Sequence, residues 1–344
     1  MPAAWFTATP LAADAYAALR RRIIFDCGKW DPQTGDRPTV ADYPIVLSAA
    51  EWDALARAAE ALYAETLALE DALCRAPLLH RALALPWSIR RALAPARHTP
   101  PAAGVRVMRF DFHRATTGWC ISEVNSDVPG GFIEAGAVAT LFAEHYPDLH
   151  PPADPAAVLV DELAAQLPPA ADVGFIHATA YTDDRQVMAH LARRAAARGL
   201  RPHLVSPEGV RWTRRAARLA APPATPLAAL VRFFPAEWLP NLSRGSGWRH
   251  YFAAGATPQC NPATALLTQS KRVPLVWDEL DVALPTWRRL LPETRPLPPA
   301  AQLRDGGWVL KPALGRVGEA VGIAGVTAPR DWRQITRWAR WSAR

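Results

Sequence analysis

Arg109, Asp111, Glu123 and Asn125 fall in two pairs, R-F-D and E-V-N, on either side of the short polar stretch 114–118. On an extended strand, residues two apart point to the same face. If the two segments pair as a hairpin turning near 115–116, Arg109 lies roughly opposite Glu123 with Asp111 close by. One face then carries Asp, Glu, Asn and Arg together. Three hard oxygen donors suit Mg²⁺, which takes few protein ligands and fills its shell with water and phosphate oxygens. A guanidinium suits a phosphoryl group through bidentate contact. An exposed strand face with an ordinary ion pair presents the same residues, so the spacing leaves both meanings open.

A second group of residues lies far downstream. Lys29, Lys271 and Lys311 are the only lysines in a chain with 39 Lys and Arg residues. In an arginine-rich composition, a lysine is retained either by chance or because a compact point charge is needed there rather than a planar fork. Lys311 precedes the loop P-A-L-G-R-V-G, containing Gly315, Arg316 and Gly318. Such a loop can cover phosphates with backbone N–H groups while the ammonium meets them from the strand. It is neither a Walker A loop nor a dinucleotide fingerprint, and a plain hairpin turn would read alike. Lys271, in Q-S-K at what reads as a helix start, is the second phosphate candidate. Asp183 and Asp184 follow a strand candidate where ligands gather in α/β units; they could hold an amine, or serve the N-terminus of the next helix. The nine histidines show no metal-ligand spacing, and the 14 tryptophans read as packing residues.

The elements that must position these groups follow from periodicity. Residues 1–100 read as mostly helical, with a capping box of Ser48 and Glu51 opening a long apolar-periodic run. A second helix is expected over 77–93, then a break at 97–104. Residues 101–150 hold the hairpin and a helix over 133–146. Residues 151–265 read as an α/β unit: helix, strand at 173–178, helix from Gln186, strand at 202–207, a Pro-rich linker, and a strand near 228–234. That order implies a parallel βαβ element. Residues 266–344 hold the two downstream lysines, with strand, Gly-containing loop and strand over 305–323, and no evident closing element after them.

Composition narrows the functional classes. Half the residues are apolar, as in a soluble enzyme. No apolar run reaches the about 18–20 residues of a membrane span, and no signal peptide is evident. Cys27, Cys74, Cys120 and Cys260 are far apart, which argues against a zinc cluster or disulfide framework and fits a cytoplasmic protein. The net charge of +7 comes from arginine clusters at 20–22, 193–198 and 214–218. These read as solvated faces of Ala-rich helices, with no nucleic-acid-binding motif.

Taken in order, R-F-D at 109–111, E-V-N-S-D-V-P at 123–129, F-F-P-A-E-W at 233–238, Q-S-K at 269–271 with V-W-D-E-L at 276–280, and K-P-A-L-G-R-V-G at 311–318 resemble the motifs of the glutathionylspermidine synthase family. The resemblance covers about residues 15–325. It implies an α/β (α+β) fold, ATP-grasp-like and circularly permuted, with a Rossmann-like pre-ATP-grasp unit. It also implies an ATP- and Mg²⁺-dependent ligase joining a small-molecule or peptide carboxylate to an amine. Asp111, Glu123 and Asn125 would hold Mg²⁺, Arg109 would meet the transferring phosphoryl group, and Lys271 and Lys311 would bind ATP phosphates under the Gly315–Gly318 loop. Val317 stands where the family has Glu, and Val128 and Gly130 stand near small hydroxyl residues of glutathione-binding members. Family members also continue past the position of Arg344, and bifunctional ones carry an amidase domain not seen here. A shortened, non-catalytic ATP-grasp remnant is therefore the alternative expectation.

Overall fold

A computed structural model describes residues 5–30, 33–34, 37–98, 104–253, 255–297, 307–316 and 318–342. Much of the break at 97–104, and Val317, lie outside the described residues.

The N-terminal part is helical as its periodicity requires. Helix Ala13–Phe25 is followed by the long helix Ala49–Arg75, whose first turn is capped by Ser48 accepting from the Glu51 N–H at 3.2 Å. The Glu51 carboxylate accepts the indole N–H of Trp119, so the acidic half of the box ties the helix to the hairpin. The expected second helix is interrupted. A 3-10 turn at Pro77–Arg81 gives way to helix Trp87–Leu93, separated by Ala84 at φ 60° and by Pro86. A left-handed residue and a proline each end an α-helix.

The hairpin forms, with strands Arg109–Ala115 and Gly118–Asn125. Its register differs from the expected one: Arg109 faces Asn125 and Asp111 faces Glu123. Two causes add. The turn lies at Thr116 and Thr117 rather than one residue earlier, and the pairing shifts between Asp111 and Phe112, leaving Ser122 as an extra residue. This bulge explains how Ile121 and Val124, an odd number apart, both enter the core. Strict alternation would send one of them to the opposite face. The helix after the hairpin begins with a π turn, Ile133–Val138, and continues as Ala139–Ala143.

The α/β unit comprises helix Pro155–Gln166, strand Asp172–Ile176, helix Thr182–Ala197 and strand Arg201–Val205, then strands Ala229–Arg232 and Gln259–Cys260. The four strands make one parallel sheet in the order Gln259–Cys260, Ala229–Arg232, Asp172–Ile176, Arg201–Val205. Its two central strands are buried along their whole length, as parallel strands covered on both faces must be. Arg214, Arg215 and Arg218 are not on a helix. They belong to an antiparallel pair, Val210–Thr213 with Ala216–Leu219, whose turn residues Arg214 and Arg215 have positive φ. The other clusters are tied down: Arg22 pairs with Glu144, Arg194 with Asp154, and Arg198 with Asp161.

Near the C-terminus, strands Val309–Leu310 and Gly322–Ile323 pair antiparallel around the Gly-containing loop. A helix, Pro329–Ser342, then packs on Gly322, contrary to the expectation of no closing element. Trp332, Ile335 and Ala339 recur at helical spacing, a signal hidden by the arginines between them.

Three apolar clusters hold these parts. The largest joins helix Ala49–Arg75 to the underside of the hairpin through Ile121 and Val124, a second covers the parallel sheet, and a third packs helix Ala13–Phe25 on the helix after the hairpin. Among the described residues no helix is long and apolar enough to cross a membrane. The four cysteines are free thiols, and burial pushes Cys74 and Cys260 up to about 12.

Candidate functional site

The hairpin face opposite the core carries the first group. Arg109 grips Asp111 through two parallel bonds, Nε to Oδ1 at 2.7 Å and Nη2 to Oδ2 at 3.1 Å, while Asn125 Nδ2 donates to Oδ2 at 3.2 Å. Arg109 Nη1 also donates to the Gly130 carbonyl at 3.3 Å. Glu123, directly across from Asp111, pairs with the Lys271 ammonium at 3.0 Å.

Lys271, expected at a helix start, precedes a 3-10 helix rather than an α-helix. It lies in a turn between helix Leu266–Gln269 and the 3-10 helix Val273–Leu275, two residues before the latter begins and alongside the glycine loop. Its N–H donates to the Ala313 carbonyl at 2.9 Å and its ammonium to the Gly315 carbonyl at 3.0 Å. Lys311, the residue just after strand Val309–Leu310 and at the entry to that loop, reaches the Ser122 carbonyl at 3.4 Å. Burial and the neighbouring Lys271 push the Lys311 ammonium below the usual lysine range, partly offset by Glu123 and Asp111. Two ammonium groups and two carboxylates thus act on one another across one gap. Asp111, Glu123, Lys271, Lys311, Gly315 and Gly318 all line a single cleft of about 1890 Å³. Arg109 and Asn125 join it through Asp111.

The loop itself is tightly constrained. A Cβ on Gly315 would lie 2.1 Å from Pro312 Cγ, and Gly318 has φ +72°, so both positions need glycine. Arg316 does not face the cleft. Its guanidinium turns inward and forks onto the Glu237 carboxylate, with Nη2 at 2.8 Å from Oε2 and 3.0 Å from Asp127 Oδ2. Asp127 is fully buried and also accepts from Arg232, itself buried, and from the Ala236 N–H at 2.9 Å. Burial pushes the Asp127 carboxyl up, but Arg232 and Arg316 outweigh it and hold it below the usual carboxylate range. The strand end carrying Asp127 is further fixed by Gln269 Oε1, which accepts from the Ser126 and Asp127 N–H groups at 3.0 and 3.1 Å. Asn261 Nδ2 donates to the Ser126 carbonyl at 2.7 Å.

Asp183 and Asp184 do not line the cleft. They occupy the first turn of helix Thr182–Ala197, whose N-cap is Tyr181. The two differ: Asp183 is exposed, whereas burial pushes the Asp184 carboxyl up to about 6, against a lowering influence of Arg316.

The donor set fits a magnesium–nucleotide pair. Among the described residues no group of three or more His, Cys, Asp and Glu side chains could cage a metal by itself. Mg²⁺ needs no such cage when phosphate oxygens complete its shell. The Arg109–Asp111 pair is partly exposed, so releasing it to admit a cation costs little.

A sequence profile described as "Glutathionylspermidine synthase preATP-grasp" matches residues 20–332. The chain belongs to that family. No match was found among curated proteins. In this glutathionylspermidine synthase-family chain, the hairpin, the two downstream lysines and the glycine loop all lie inside the matched span, whereas most of helix Pro329–Ser342 lies beyond it. Asp127 and Glu237 were given no role on sequence grounds. Both sit inside the quoted motifs E-V-N-S-D-V-P and F-F-P-A-E-W, and the signal for them was a carboxylate in each with an arginine, Arg316, in the glycine loop.

Proposed function

We propose that this chain is an ATP- and Mg²⁺-dependent carboxylate–amine ligase that forms an amide bond through an acyl phosphate. The observation carrying this reading is the shared cleft, in which two lysine ammonium groups from the downstream strand and loop meet two carboxylates from the hairpin. Asp111, Glu123 and Asn125 would hold Mg²⁺, which when bound neutralises phosphate charge and polarises the phosphoryl group. Lys271 and Lys311 would fix ATP phosphates, with the backbone from Gly315 to Gly318 above them. Arg109, once released from Asp111, can stabilise charge on the transferring phosphoryl oxygens. Arg316 acts as the anchor of the loop rather than as a phosphate ligand, because Glu237 and Asp127 already take its donors. Asp184, and Asp183 beside it, supply negative charge for an amine on the far side of that anchor. Catalysis then rests on positioning and preorganised charge.

The test follows ADP and phosphate release with Mg²⁺·ATP, using glutathione as the carboxylate and spermidine as the amine probe, together and singly, alongside a panel of other peptides and amines. Release that requires both partners, and that disappears in folded Asp111→Ala and Lys311→Ala variants, supports the ligase. Undiminished turnover in both variants defeats the site assignment. Failure of the wild-type protein to bind Mg²⁺·ATP leaves the non-catalytic remnant.

A further inference from the structure

Two arginines sit where the backbone disfavours them. Thr213 pairs with Ala216 across the ribbon of strands Val210–Thr213 and Ala216–Leu219, so Arg214 and Arg215 are the whole of a two-residue turn. Their φ values are 50° and 68°. A hairpin turn with both central residues at positive φ is normally made by Asn-Gly or Asp-Gly, because a Cβ in that region crowds the following carbonyl. Across the same ribbon Arg211 faces Arg218, and like charges directly opposite one another destabilise a strand pair. Neither cost is offset by an ion pair. Among the described residues no carboxylate lies within ion-pair distance of Arg211, Arg214, Arg215 or Arg218, whereas Arg22, Arg194 and Arg198 each have one. One face of the ribbon is core, with Val210 and Ala217 buried and Trp212 and Leu219 packed on the same cluster. Alternation therefore puts Arg211 and Arg218 on the outward face. Arg211, Arg214 and Arg215 are exposed, and Arg218 Nε donates to the Ala224 carbonyl at 2.8 Å. The turn is held in place, since the Arg215 carbonyl accepts the Ala256 N–H at 3.1 Å.

We propose that this arginine ribbon docks duplex nucleic acid by its phosphates, without reading sequence. The chemistry of the patch selects that partner. Guanidinium forks match phosphate oxygens, and the turn keeps two of them at the expense of local stability. Among the described residues no large apolar side chain between 206 and 253 is exposed. The patch therefore lacks the apolar centre of a protein–protein interface and the apolar face that enters a membrane surface. It also lacks open aromatic rings on which the bases of a single strand could stack. A duplex backbone needs none of these, because its affinity comes from the counterions that the protein's cations release. None of the four arginines lines the cleft, so this surface stands apart from the ligase reading.

Fluorescence anisotropy of the full chain with four labelled probes, a short DNA duplex, a short RNA duplex, a single-stranded DNA and polyglutamate, tests this across a range of salt. At least one duplex should bind, with log affinity falling against log salt at a slope of about −3 to −4, the value for about four phosphate contacts. A preference for one duplex names the source of the phosphates, and equal binding leaves the phosphates as the shared determinant. The double variant Arg214→Asn/Arg215→Gly gives the turn its favoured residues. It should melt no lower than wild type, while its salt slope becomes shallower by about 2, for two lost contacts. No salt-dependent binding of either duplex overturns the proposal, as does tighter binding of the single strand or of polyglutamate than of both duplexes. A double variant with the wild-type slope also overturns it, and so does one that melts below wild type, since the arginines would then serve the fold.

Discussion

Replacing Asp127 by Asn removes one negative charge from the junction between hairpin, α/β unit and glycine loop while keeping the side-chain volume. In the wild type this carboxylate has no solvent exposure and faces two guanidinium groups, from the buried Arg232 and from Arg316. Breaking a buried pair by removing one partner costs about 3–5 kcal/mol, because a buried charge is left uncompensated. Two features favour the lower end. Arg316 keeps Glu237, and Arg232 keeps the carbonyls of Asn261 and Phe234. With a melting shift of about 2 °C per kcal/mol for a large domain, Asp127→Asn should melt about 6 °C below wild type near neutral pH. The sign of the pH dependence is fixed as well. The folded carboxyl lies below its ordinary value of 3.8, so its contribution is present above that value and is lost as pH falls through the lower, folded one. The gap between variant and wild type should therefore narrow in acid. Thermal melts across pH, followed by circular dichroism, provide the assay. A variant melting within about 1 °C of wild type at neutral pH would refute the claim that this network ties the three parts together.

Three further outcomes are expected. Because burial lowers the Lys311 ammonium, Mg²⁺·ATP affinity should fall as pH rises, beginning below the ordinary lysine value of 10.5; Lys311→Arg, which keeps its charge, should give a flatter profile by calorimetry. Asp184 has a folded pKa raised to about 6 from 3.8, so its ionisation opposes folding; Asp184→Asn should melt above wild type at pH 8, with the difference vanishing below about pH 4, and a variant less stable at pH 8 would contradict this. At Gly136, a Cβ would lie 2.4 Å from Asp154 Oδ1, the atom that caps helix Pro155–Gln166; the lost cap, about 1 kcal/mol or more, adds to the clash and should outweigh a helix-propensity gain of up to about 1 kcal/mol, so Gly136→Ala should lower the melting temperature.

The candidate site was legible in the sequence where chemistry and spacing coincide. Two-residue spacing put Asp111 with Arg109, and Glu123 with Asn125, on common faces, and the scarcity of lysine singled out Lys271 and Lys311. The register could not be read, because a bulge at Ser122 leaves no mark in residue type and moves every partner beyond it. Arg316 was assigned to phosphate on its place in the loop, but its direction depends on two carboxylates from distant segments, Asp127 and Glu237, which only tertiary packing brings within reach. In the fold, strong periodicity revealed helix Ala49–Arg75 and the parallel strands. The closing helix Pro329–Ser342 was hidden because arginines occupy its polar face so densely that a narrow apolar stripe, Trp332, Ile335 and Ala339, was passed over. Arg214 and Arg215 were mistaken for helical residues for the opposite reason: an Ala- and Arg-rich composition suggests a helix, yet both adopt positive φ at a strand turn.

On the proposed reading, the hairpin carboxylates and the two distant ammonium groups form one site for a divalent ion and nucleotide phosphates. Electron paramagnetic resonance of Mn²⁺, used in place of Mg²⁺, tests it most directly by titrating the ion with and without ATP. Mn²⁺ alone should bind weakly, ATP should tighten it strongly, and both Asp111→Asn and Lys311→Met should lose that synergy. Mn²⁺ binding that ignores ATP, or synergy that survives in both variants, would contradict it.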